Sequence, residues 1–210
     1  MDPQKRITDK AHELFFQFGV RRISMDEIAN GLGISKKTVY RFFSNKEVLI
    51  TTIVEKEIRE NPLDEKVLND KMGDAINLMF FILRHAINMH LRFNGVIIND
   101  LKKYYPAVYE ILMTYKNENI YHALNRCLTE GTRQGFFNQG CNIDLMTRFI
   151  LASVPIISAV SQLSESKPGS KDLADEMLIY LVRGLSTQKA SNSLIFIKYS
   201  ERFYRVQNNR

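Results

Sequence analysis

Seven side chains between positions 35 and 46 are of types that hold a polyanion: Ser35, Lys36, Lys37, Thr38, Tyr40, Arg41 and Lys46. Reading a duplex takes two kinds of contact, hydrogen bonds to base edges for sequence and to phosphates for position. Lys36 and Lys37 can donate to guanine O6 and N7 or to phosphate. The methyl of Thr38 can meet a thymine methyl and its hydroxyl a phosphate. Tyr40 can donate to phosphate while its ring packs on the domain, and Arg41 adds a cation in the same turn. Lys46 falls in the first turn of the next helix, where a phosphate gains both the ammonium and the free backbone N–H groups of the helix start. Arg21 and Arg22 either touch phosphate or are simply exposed.

These residues need a short, exposed helix held by short neighbours, and the punctuation predicts one. Ile7, Ala11, Leu14, Phe15 and Phe18 recur at steps of three and four, which is one face of a helix. Gly19 closes it. Ser24 and Glu27 form a capping box ahead of Ile28. Gly31 and Gly33 break the second helix, and Ser35 caps the third. Ser44 and Glu47 read as another capping box, opening a fourth helix to about Glu60. Val39, Phe42 and Phe43 are expected to hold the short third helix onto Leu14, Phe18, Ile28 and Leu32. Two short helices around a glycine turn, the second cationic, make a helix-turn-helix that lays its second helix in the major groove.

The rest of the chain is helical in pattern too. Asn61-Pro62 ends the fourth helix, because a residue before proline resists the α region. The domain boundary falls there: residues 1–60 for DNA binding, 61–210 for a helical second domain. Further helices are expected over 74–92, 96–103, 106–133, 143–163 and 171–186, with a weaker one over 194–204. The fold class is all-α. Formal net charge is +6, with a net of +4 in residues 1–46 and again in 189–210, which suits a polyanionic partner. Cys127 and Cys141 make neither a disulfide framework nor a zinc site. His85 and His90, five apart, do not share a helical face as metal ligands would. No metal or cofactor is expected. No signal peptide stands at the start, and the apolar run from Phe149 to Leu163, broken by Pro155 and serines, reads as too short to span a bilayer. A cytoplasmic protein with no membrane partner is the expectation.

Residues 7 to 50 resemble the DNA-binding domain of the TetR family of transcriptional regulators. The matching residues are Ala11, Leu14, Phe15 and Gly19, then Ile28-Ala29, Gly33-Ile34-Ser35, Thr38-Val39-Tyr40-Arg41-Phe42-Phe43 and Asn45-Lys46-Glu47-Val48-Leu49. The resemblance implies a homodimer with an N-terminal DNA-binding domain and a C-terminal ligand-binding and dimerisation domain. It also implies a palindromic double-stranded operator, usually repression, and release by a small-molecule effector. By position, Lys36, Lys37, Thr38 and Tyr40 match the family's contact-making helix, and Lys46 its phosphate-contacting lysine.

In the second domain, Phe80, Tyr104, Tyr109 and Tyr115 are candidates to line an effector cavity, against the alternative that aromatics at helical spacing are core. Residues 143–163 are too apolar to face water alone. With 171–186 they could form a four-helix interface between two copies. Two other classes stand beside this reading, an enzyme built on a helical bundle and a non-DNA helical adaptor. The enzyme lacks a paired Glu-x-x-His, an HExxH, a nucleophile elbow and a phosphate loop.

Overall fold

The computed structural model describes residues 2–60, 63, 68, 75–140, 142–164 and 170–191. Regular structure among them is helical, beside one isolated bridge between Phe137 and Ser186. The helices are α1 (Pro3–Phe18), α2 (Met25–Leu32), α3 (Lys36–Phe42), α4 (Lys46–Glu60), α5 (Ala75–Arg92), α6 (Gly95–Tyr104), α7 (Pro106–Thr114), α8 (Tyr121–Arg133), α9 (Ile143–Ser164), α10 (Ser170–Leu185) and α11 (Gln188–Ser191). The expected helix at 194–204 and the stop at Asn61-Pro62 lie outside the described residues.

Packing divides the chain into two units, residues 1–62 with 92–115, and residues 63–91 with 116–210. In the first unit, α1 packs on α2 and α4, α2 on α3, and α7 on α4 and α6. Its core is built from Ile7, Ala11, Phe15, Ile28, Val39, Phe43, Leu49 and Ile53, all buried. In the second, α9 lies against α8 and α10.

Local rules start and stop the N-terminal helices. Asp2 accepts from the Gln4 N–H ahead of Pro3. Gly19 ends α1 at φ 90°, and a Cβ there would lie 3.1 Å from both Asp100 Oδ2 and Val96 Cγ1. The positive φ favours glycine, and a side chain there would also have to push both neighbours aside. The Ser24–Glu27 capping box forms as the sequence predicts, with Glu27 N donating to Ser24 Oγ at 3.2 Å and Ser24 N to Glu27 Oε2 at 2.6 Å. Only Gly33 breaks α2, at φ 64°, while Gly31 stays inside the helix.

Several expectations need correction. Asn45, not Ser44, caps α4: its Oδ1 accepts from the Val48 N–H at 2.9 Å. Asparagine caps as well as serine, and the one-residue shift makes Lys46 the first helical residue. The single helix over 106–133 is interrupted by a π-helical stretch, Tyr115–Ile120. Phe18 does not hold α3, since its ring is exposed and Phe15 fills the core one turn earlier. Finally, α9 has 22 residues and is long and apolar enough, by length and composition, to cross a membrane. Its inner side buries Thr147, Ile150, Val154, Ile157 and Ser158 within the second unit.

Candidate nucleic-acid interface

The seven residues of α3 hang on one side chain and one cap. Val39 is fully buried, and Phe43 closes the helix from beneath. At the N-terminus Ser35 accepts from the Thr38 N–H at 3.1 Å, and the two hydroxyls lie 2.8 Å apart. Ser35 and Thr38 thus spend part of their hydrogen-bonding capacity on holding the helix start. Thr38 is half-buried; Lys36, Lys37, Tyr40 and Arg41 are exposed.

The two lysines differ. Lys36 Nζ lies 2.8 Å from Asp26 Oδ1 on α2 and 5.8 Å from the centre of the Tyr40 ring. The hydrogen bond to Asp26, more than its charge, holds the Lys36 ammonium above its ordinary pKa. Lys37 makes no ion pair or hydrogen bond among the described residues. Arg41 sits over the Phe42 ring at 5.1 Å. The exposed end of α3 therefore offers one unpaired ammonium, one paired ammonium, an exposed phenol and a guanidinium on a seven-residue helix. That set can donate to acceptors in a groove but has no acid or base pair that could do covalent chemistry.

Lys46 faces inward. Its Nζ donates to the Val20 carbonyl at 2.5 Å and lies 3.4 Å from the Arg21 carbonyl. The rings of Phe15 and Tyr105 flank it, with centres at 5.6 and 5.8 Å. Burial pushes its pKa down, opposed by the charges of Asp100 and Glu27. Lys46 thereby ties the start of α4 to the turn between α1 and α2. Asp100 holds the same turn from α6, its Oδ2 accepting from the Arg21 N–H at 2.8 Å. Beside it the Arg21 guanidinium lies 4.9 Å from the centre of the Tyr104 ring. Sequence reasoning missed Asp100, because nothing local marks a capping residue 79 positions away.

The cavity candidates have different surroundings, each within its own unit. Phe80 is buried in the second unit, Tyr115 is buried and Tyr109 half-buried in the first, and Tyr104 is exposed under its two cations. Tyr104 is exposed and carries the Arg21 and Lys103 side chains on its ring. A small cleft in the second unit, lined by Leu128, Thr132, Phe137, Ile143, Met146 and Leu185 among others, has room for about one water molecule.

Residues 7–53 match the family of bacterial regulatory proteins called tetR. The fatty acid metabolism regulator protein of Bacillus subtilis (strain 168) is 25% identical over 187 residues, spanning 86% of this chain and 94% of that relative. An HTH-type transcriptional regulator of Staphylococcus aureus (strain USA300) is 40% identical over 118 residues, 53% of this chain and 64% of that protein. Among solved structures, the fatty acid degradation regulator of Bacillus halodurans superposes with a TM-score of 0.61 at 15% identity, covering 87% of this chain and 96% of its own.

Proposed function

We propose, from the premise that this chain belongs to the tetR family of bacterial transcriptional regulators and is not an enzyme, that it acts in the cytoplasm as a homodimeric repressor of a palindromic operator. The observation that carries this reading is the first turn of α3. There Lys37 stands exposed and unpaired while Val39 and Phe43 are buried beneath it. Lys37 is the main reader of base edges. Lys36, Tyr40 and Arg41 hold phosphates or adjoining bases, with Ser35 and Thr38 fixing the helix start. Lys46 positions the surface and shares its charge with the nearest phosphate.

In this reading residues 1–60 bind DNA and residues 61–210 bind the effector and dimerise, with 92–115 packed as part of the DNA-binding unit. Leu145, Phe149 and Ile156 are each more than 60% exposed on α9, as is Tyr180 on α10. An apolar stripe of that kind suits a self-complementary face. The effector releases the operator by favouring a dimer whose recognition helices no longer match the groove spacing. Fatty acids are the first probes, because one relative is a fatty acid metabolism regulator.

The test is operator selection by the full chain from a random duplex library, followed by binding across a salt series. The log of affinity should fall steeply with the log of salt concentration. Lys37→Ala should change the preferred base at one position in each half-site by about 1–3 kcal/mol, and Lys46→Ala should weaken all sequences about equally. An unchanged preference in Lys37→Ala ends its base-reading role. A chain that enriches no sequence ends the whole reading.

A further inference from the structure

Several cations in this structure have a carboxylate at hand: Lys10 has Glu13, Lys36 has Asp26, Lys56 has Asp9, Arg59 has Glu55, Arg133 has Glu130 and Arg148 has Asp144. One cluster in the first unit has no such partner among the described residues and gathers on a single ring. Arg21 and Lys103 lie over the same ring, that of Tyr104, at 4.9 and 5.3 Å from its centre. Arg22 is next to Arg21 and Lys102 next to Lys103, and all four cations are exposed. Among the described residues none of the four side chains makes an ion pair.

The acidic groups nearby are already engaged. Asp100 accepts the Arg21 backbone N–H, and Glu27 is closed into the Ser24 capping box while feeling the charge of Arg22. Charge is thus concentrated on one exposed ring and left for something outside the chain to neutralise. The ring holds two long side chains in place, which lowers the entropy cost of using them. The patch also adjoins the DNA-reading elements: the Arg21 carbonyl lies 3.4 Å from Lys46 Nζ, at the first residue of α4, directly after α3.

We infer that Arg21 and Lys103, braced on Tyr104, form a second phosphate-binding site that grips the DNA backbone flanking the bases read by α3. This inference rests on the DNA-binding reading above. It extends that reading to residues 102–104, which lie outside the matched segment of residues 7–53. The site carries no sequence information. It lengthens the footprint and adds to the electrostatic part of affinity, the part released as counterions.

The experiment is salt-dependent binding of the full chain to its selected operator, comparing the unaltered protein, Arg21→Ala/Lys103→Ala and Lys103→Arg. Losing two phosphate contacts should reduce the slope of log affinity against log salt by roughly 1.8, at about 0.9 per contact. Affinity should fall by a similar factor on every sequence, and Lys103→Arg should keep the original slope. The double variant should melt at the temperature of the unaltered protein, since both side chains are exposed. A double variant with the original slope, or one that alters base preference without altering the slope, overturns the site. Should the unaltered protein show no sequence-selective, salt-dependent binding, it is the DNA-binding reading that fails, and the two failures are distinct.

Discussion

Glu57 is a charged side chain buried in the first unit, and its neighbours show how the unit tolerates it. Its Oε2 accepts from Arg92 Nη1 at 2.5 Å. His12 Nε2 lies 2.9 Å from Oε1, although out of line for a hydrogen bond. The His12 ring is stacked on Phe16 at 4.2 Å, and Phe16 meets Phe93 edge-on at 5.4 Å. One carboxylate therefore joins α1, α4 and the last residue of α5. The two ends of the ion pair are unequal: the Glu57 side chain is 6% exposed and that of Arg92 49%. Removing Arg92 strands a buried charge, at a cost of about 3 kcal/mol, the lower end for broken buried pairs because His12 stays beside it. Removing the charge of Glu57 leaves only a half-solvated guanidinium, so Glu57→Gln should cost about 1–2 kcal/mol. Urea denaturation of Arg92→Ala, Glu57→Gln and the double variant checks this. The double variant should be more stable than Arg92→Ala alone. If Glu57→Gln is the more damaging single change, the pair is not organised around a buried charge.

Among the elements, α9 makes the clearest demand. Leu145, Phe149 and Ile156 recur at steps of four and seven on the side away from the buried Ile150, Val154 and Ile157. If α9 forms the proposed two-fold face, Phe149→Glu with Ile156→Glu removes two apolar groups per chain from it, four per dimer. At about 1.5–3 kcal/mol each, the dissociation constant should rise at least about a thousand-fold. Sedimentation at micromolar concentration should then show monomers of undiminished helicity, and a variant that stays dimeric rules out this face. The helix itself is legible from composition, and so are α1 to α3, whose caps at Ser24, Gly33 and Ser35 act within four residues. What could not be read was set by distant packing. Pro106 starts α7 as expected, but nothing in the local pattern foretells the π-helical stretch at Tyr115–Ile120. Lys46 looked like a surface lysine because the Val20 carbonyl and Tyr105 that receive it are remote in sequence. Tyr104 looked like a cavity residue for the same reason, its cations being contributed partly by the α1–α2 turn. That residues 92–115 pack with the N-terminal helices is invisible to any window reading.

At the scale of the whole molecule, a dimer that reads a palindrome is a ruler as much as a reader. Two recognition helices related by a two-fold axis enter successive major grooves about 34–36 Å apart, one turn of 10–10.5 base pairs. Inserting five base pairs at the centre of the operator turns one half-site to the far side of the duplex. Binding both halves would then require twisting DNA or protein by about half a turn, which costs more than the second set of contacts returns. The inserted operator should bind through one half-site only, at least roughly a hundred-fold more weakly, given the usual gap between specific and non-specific affinity. Inserting ten base pairs restores the face but doubles the spacing, so a dimer held by α9 and α10 should still fail to span it. The monomeric α9 variant, which has no ruler, should bind the original and both inserted operators equally and weakly. Measuring all three duplexes with both proteins separates the contributions of reading and spacing. Equal affinity of the unaltered protein for all three would mean that the subunits act independently, and the two-fold arrangement would have to be abandoned.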